Sequence, residues 1–152
     1  MSLVTAAVLA CLVTAVSDGD TLSVRCGAHR PERVRIVAID APEIRQAFGR
    51  QSREHLRRLC FRQRAELYRL GRDVYGRTLA HVRCSGQDVA AAQVAAGLAW
   101  VSTRDSRLER QLGALQRQAQ ASRSGLWSQK RPQAPWDYRK RQQRRKTAQE
   151  AR

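Results

Sequence analysis

A small Greek-key β-barrel with helices packed on it, an α+β fold that is mainly β, is the fold class this sequence predicts. Three observations carry the prediction. At 152 residues the chain holds one domain with a proper core. Five short stretches read as strands bounded by turn residues, and only three stretches between them have helical spacing. No internal repeat is evident.

The elements follow in order. Asp18-Gly19 between two apolar runs is a hairpin signal that pairs residues 11–16 with 21–26. Residues 33–39 make a third strand, in which Ile36 to Ile39 is continuously apolar. Leu56, Leu59 and Cys60, at i, i+3 and i+4, predict a helix over 49–60. Residues 65–70 and 77–84 form a second hairpin around 71–76. Asp88 caps a short helix that runs to Ala96, and "GLAWV" turns back into the core. The last helix opens at a capping box, Ser106-x-x-Glu109, and carries Leu108, Leu112, Leu115 and Ala119 on one face. Gly125 ends it, and Leu126 and Trp127 tuck back onto the barrel.

The ends differ from this middle. Residues 1–10 read as a trimmed signal plus an engineered start, because an apolar run begins at Leu3 with no basic residue before it. That run, fourteen residues to Val16, is too short to span a bilayer, so no stable membrane span is expected. Residues 11–128 form the domain. Residues 129–152 hold nine Lys/Arg against Asp137 and Glu150, a net of +7 that leaves +9 on the rest. With almost no apolar residues to offset its ordering entropy, this tail is expected to be a disordered basic extension anchored locally at Trp136 and Tyr138.

Charge and cysteines narrow the partner and the compartment. The chain has 29 Lys/Arg against 13 Asp/Glu, a formal net charge of +16, which favours a polyanionic partner, DNA or RNA first. Cys11, Cys26, Cys60 and Cys84 lack Cys-x-x-Cys spacing, which argues against a zinc site. With the hairpin turn centred between 18 and 19, opposed positions sum to 37, and Cys11 plus Cys26 meets that sum. Cys60 and Cys84 are left to pair. Two cross-links imply an oxidising compartment, so the chain is read as periplasmic or secreted; an acylated Cys11 or four buried thiols are the alternatives.

The stretch "RIVAIDAPE" holds the chemistry. Asp40 ends a buried strand, and Pro42 keeps Ala41 extended so that Glu43 projects beyond it. Asp18 in "SDGDT" is ordinary turn chemistry, whereas Asp20 opens the next strand. Two carboxylates and a backbone carbonyl without His or Cys select Ca²⁺, Mg²⁺ or Mn²⁺ over zinc. Arg35 and Arg77, each costly in an apolar strand unless it meets an anion, suggest a phosphate clamp. Strict alternation puts Arg35 and Asp40 on opposite faces, so a bend between them is required. The whole is the parts list of a metal-assisted phosphodiesterase. His29, His55 and His81 have no ligand spacing and receive no role.

"VSDGDTL", "VRIVAIDAPE", "DVYGRTLAHV", "VAAGLAWV" and "SGLW", in this order and spacing over residues 12–128, resemble the staphylococcal nuclease (thermonuclease) family. The resemblance implies an OB-type five-stranded Greek-key barrel with three helices, and a calcium-dependent nuclease acting on DNA or RNA; the chain is expected to be a monomer. Asp20 and Asp40 match its calcium carboxylates, and Ala41 stands where the family ligates through a backbone carbonyl. Glu43 matches the proposed general base, Arg35 and Arg77 the phosphate-binding arginines, and Tyr75 the tyrosine beside the phosphate. Val74 replaces a Lys of the best-known member, and Thr103 and Asp105 stand at the places of its pocket tyrosines, so base stacking there is expected to be weaker. A non-catalytic nucleic-acid-binding OB module is the alternative, against which Asp20, Asp40 and Glu43 argue. A cell-envelope adhesion module is a third reading without positive support.

Overall fold

The computed structural model describes residues 10–152. The expectation of a trimmed signal therefore falls, Ala10 apart, outside the described residues. Strand β1 (Ala10–Asp18) pairs antiparallel with β2 (Thr21–Arg25), which pairs with β3 (Glu32–Ile36). A two-residue strand, β4 (Ile39–Asp40), follows, then helix α1 (Gly49–Cys60). The hairpin of β5 (Arg64–Arg72) and β6 (Thr78–Cys84) joins the other side of β1. Parallel pairing of β3 with β6, Val34 opposite Thr78, closes five strands into a barrel. After β7 (Gln87–Asp88) come α2 (Val89–Ala95), β8 (Trp100–Val101), α3 (Ser106–Ala121), a 3₁₀ turn over Gly125–Ser128, and α4 (Pro135–Glu150).

The period of two decides the interior. Cys11 and Val13 of β1, Leu22 and Val24 of β2, and Ala80, Val82 and Cys84 of β6 point inward, with more exposed residues between them. Leu56 of α1, Val94 of α2 and Leu112 of α3 cover the barrel, with Leu108 and Leu115 packed beside them. Trp100 and Trp127 meet edge to face at 4.5 Å in a second, smaller cluster with Ala119 and Leu126. No helix among the described residues is long and apolar enough to cross a membrane.

Four details differ from the sequence expectation. The turn of the first hairpin is Gly19-Asp20, one residue later than expected. Two irregularities in β1 then restore the sum of 37 at Leu12–Arg25 and Val13–Val24, so Cys11 and Cys26 still meet and are bridged. Cys60 and Cys84 are bridged as well. The expected third strand breaks at Ala38, whose φ of +69° turns the chain between β3 and β4. That is the bend that Arg35 and Asp40 need. Asp105, not Ser106, caps α3, accepting from the amides of Arg107 and Leu108. The expected disordered tail contains α4, a fourth helix beyond the three implied by the resemblance. Proline at its first turn is pre-set for helix geometry, and Trp136 packs on Trp100 at 5.5 Å.

Candidate active site

The Gly19-Asp20 turn is held from beneath by two buried polar side chains. Gln93 of α2 donates to the Gly19 carbonyl at 2.7 Å and to the Ser52 carbonyl at 3.1 Å, and Ser52 Oγ donates to the Leu98 carbonyl at 2.6 Å. A Cβ on Gly19 would lie 1.8 Å from Ser52 Oγ, so only glycine lets the turn approach α1 this closely. His55 meets Gln93 Oε1 at 2.5 Å, which makes it part of this brace. The brace fixes Asp20, itself 5% exposed, with Thr21 Oγ1 donating to Oδ1 and the Ala41 amide donating to Oδ2. Burial pushes the Asp20 carboxyl up to about 6 against the pull of Arg35, and the Asp18 carboxylate adds to the rise.

Asp40, also 5% exposed, lies beside it. Arg35 Nη2 stands 3.3 Å from Asp20 Oδ2 and 3.6 Å from Asp40 Oδ1, and Nη1 donates to the Ile39 carbonyl at 2.9 Å and to that of Ile36. Turned by Ala38, the chain thus presents both carboxylates to one guanidinium. Arg77 comes from the head of β6, where Asp73 holds it. Asp73 Oδ2 accepts from Arg77 Nε at 2.7 Å, and Oδ1 accepts from the amides of Tyr75 and Arg77. Partial desolvation works against ionisation of Asp73, but the hydrogen bonds from Arg77 outweigh it and hold its carboxyl below the usual range. Arg77 lies over the Tyr75 ring, 5.5 Å from its centre.

Glu43 leaves the strand end after Pro42, and its amide donates to Gln46 Oε1. Its carboxylate meets a residue that sequence reasoning left out. Arg139 of α4 donates to Asp40 Oδ2 at 2.7 Å, to Asp40 Oδ1 at 3.2 Å and to Glu43 Oε1 at 2.8 Å. The bonds to Asp40, against partial desolvation, and the bond to Glu43 raise its already high pKa further. Gln46 Nε2, donating to the Gln133 carbonyl at 2.7 Å, and the Trp136–Trp100 contact hold α4 in place. The sequence signal was Pro135-Trp136 in an otherwise solvated segment; the partner of Arg139, 96 to 99 residues away, had none. Asp73 was legible only as part of Asp-x-Tyr-Gly-Arg, and Gln93 only as a polar residue on an apolar helix.

One pocket of about 340 Å³ is lined by Asp20, Arg35, Asp40, Ala41, Glu43, Tyr75 and Arg77, every residue singled out for chemistry, together with Asp18 and Arg139. Among the described residues no group of three or more His, Cys, Asp or Glu is placed to hold a metal. The donor chemistry still fits a hard divalent cation. Two buried carboxylates offer oxygen alone, and both are already drawn into ion pairs with guanidinium groups, a demand for positive charge that such a cation would meet.

Comparison with known proteins decides the family. The model of the staphylococcal nuclease homologue family matches residues 33–129. The chain belongs to that family. An uncharacterized endonuclease of Haemophilus influenzae is 38% identical over 130 residues, 86% of this chain and 72% of that protein. Protein ParB of Escherichia coli and a micrococcal nuclease of Shigella flexneri are each 36% identical over 138 residues, 84% of this chain, covering 77% and 79% of their own lengths. Membership in a nuclease family makes phosphodiester hydrolysis of nucleic acid the chemistry against which the pocket is read.

Proposed function

We propose that this staphylococcal nuclease homologue is a calcium-dependent phosphodiesterase that cleaves DNA, RNA or both, acting as a monomer in the periplasm or outside the cell. The observation that carries the reading is the convergence of Asp20, Asp40, Glu43, Arg35 and Arg77 on one pocket. Asp20, Asp40 and the Ala41 carbonyl would hold the cation, which when bound supplies charge neutralisation at the phosphate. Arg35 and Arg77 bind the non-bridging phosphate oxygens by forked hydrogen bonds, Arg77 being aimed by Asp73. Glu43 orients a water molecule and takes its proton as the water oxygen bonds to phosphorus; the bond from phosphorus to the leaving oxygen breaks. Arg139 has to release Glu43 for that step. The two disulfides support an oxidising compartment.

Plasmid and RNA cleavage with calcium, then with excess chelator, tests the reading. Cleavage in calcium that stops with chelator is expected. Binding without cleavage would leave the non-catalytic module, and undiminished cleavage in chelator would remove the metal-dependent mechanism.

A further inference from the structure

Helix α4 brings a groove to the site as well as Arg139. Pro135, Tyr138, Arg139, Gln142 and Lys146 lie at i, i+3, i+4, i+7 and i+11 and so share one helix face. A face turned toward the body of a protein is ordinarily apolar. Here it carries a phenol ring, an amide and two cations. Its hydrogen bonds and ring contacts with the barrel, among the described residues, come from Trp136 and Arg139 in the first turn and a half. Beyond them the helix stands off from the segment after β4, leaving a groove of about 420 Å³ into which Arg45 faces Tyr138, Gln142 and Lys146. Arg45 and Lys146 are exposed, and among the described residues neither enters an ion pair with an acidic residue. Glu43 and Arg139 line both this groove and the catalytic pocket, so the two spaces join.

We propose that this groove is a nucleotide subsite, which seats an unpaired nucleotide of the chain that runs on from the scissile phosphate. The inference rests on the nuclease reading and adds to it where the substrate goes. A polynucleotide cut internally must lie on both sides of the cut. One side of the pocket, through Tyr75 and Arg77, opens on a groove with Arg33 and Arg72; the α4 groove serves the other side. Its volume falls in the ~300–1,000 Å³ range of small-ligand sites and accommodates one nucleotide. The half-exposed Tyr138 ring supplies a stacking surface for a base, Arg45 and Lys146 pair with phosphate, and Gln142 offers both a donor and an acceptor to a base edge.

The test is binding of single-stranded oligonucleotides to the whole protein in chelator, read by fluorescence anisotropy across a salt series. The probes are inorganic phosphate, which takes only the place of the scissile phosphate and is read by calorimetry, and a strand of about eight nucleotides, within the ~4–16 nucleotide sites of OB folds. On the longer strand, Arg45→Ala with Lys146→Ala should lower the slope of log K against log salt by about 1.4, at ~0.7 per phosphate contact. Tyr138→Ala should weaken binding of the longer strand by about 5- to 150-fold at unchanged slope, the loss of one ~1–3 kcal/mol stack. Phosphate affinity should stay as in the wild type for all three substitutions. Arg45 and Lys146 are surface residues whose replacement spares the fold, so a wild-type slope in the double variant, or equal losses on both probes, overturns the subsite. Wild-type protein that binds neither probe and cleaves nothing in calcium overturns the nuclease reading itself. Wild type that binds and cleaves, with variants that match it, overturns the groove alone.

Discussion

Arg139 is the residue on which the electrostatics of the site turn. It closes a fork on Asp40 and reaches Glu43, so it holds the carboxylate expected to bind the cation and the one expected to work on water. A cation held at Asp20 and Asp40, as proposed, would compete with it. Arg139→Gln should therefore tighten calcium binding, by roughly fivefold if the pair contributes the ~1 kcal/mol of a well-formed, partly exposed bridge. Calorimetric titration without substrate reads this directly; unchanged or weaker binding means that Arg139 does not compete. The remaining roles separate in the same way. Asp40→Asn should weaken calcium binding, with activity partly restored by added calcium. Glu43→Gln should leave calcium binding largely intact and cut turnover by ~10²-fold. Arg77→Lys should be as severe, because an ammonium cannot make a forked contact. A fully active Glu43→Gln sinks the proposed base. Asp20 adds a pH signature. Its folded pKa of about 6 lies above the ordinary 3.8, so in chelator its contribution to stability is complete below about pH 4 and is lost as pH rises through 6. Melting temperature relative to Asp20→Asn should fall across that window; a constant difference would show that burial does not hold the proton there. Of this site, the carboxylates and the two clamp arginines were legible because each breaks a local rule, a charge at the end or in the middle of an apolar strand. Asp73, Gln93 and Arg139 break none.

At the scale of elements, what has a short period was legible. The barrel strands alternate and α1 and α3 carry apolar stripes, so both kinds of element follow from spacing. The Cys11–Cys26 register held even though the turn lay one residue later than Asp-Gly chemistry suggests, because the irregularities in β1 compensate before the cysteines are reached. The bend at Ala38 was demanded by Arg35 and Asp40 but not marked in the sequence, since an alanine at positive φ is set by its surroundings. Helix α4 was missed for a physical reason too. It has no apolar stripe, and its stability comes from its own hydrogen bonds, a proline start and one tryptophan. The disulfides tie the elements that were legible. They close loops with sequence separations of 15 and 24, and constraint of the unfolded chain gives each about 3 kcal/mol. Replacing both pairs by alanine should lower the melting temperature by on the order of 15 °C. A shift of only a few degrees would mean that the barrel is held without them and would weaken the case for an oxidising compartment.

Over the whole molecule, the charge of +16 and the placement of α4 make one question of affinity and catalysis. A solvated basic tail would add only salt-sensitive affinity. Here the same segment delivers Arg139 to the carboxylates, so its removal has two effects that two truncations separate. Ending the chain after Arg139 removes Lys140, Arg141, Arg144, Arg145, Lys146 and Arg152 but retains the Trp136 and Arg139 side chains that meet Trp100 and Asp40 in the full chain. That protein should lose ~0.9 in the slope of log K against log salt for each duplex phosphate it no longer neutralises. Its calcium midpoint and its turnover at saturating substrate should stay near those of the full chain. Ending the chain at Ser128 removes Arg139 and Trp136 as well. The slope should flatten further, the calcium midpoint should fall as in Arg139→Gln, and the uncovering of Trp100 should lower the melting temperature. Cleavage of plasmid DNA across salt and calcium titrations distinguishes the three proteins. If the shorter truncation leaves the slope unaltered, α4 does not touch nucleic acid. If the longer one leaves the calcium midpoint where it was, the clamp of Arg139 on Asp40 and Glu43 has no bearing on the metal.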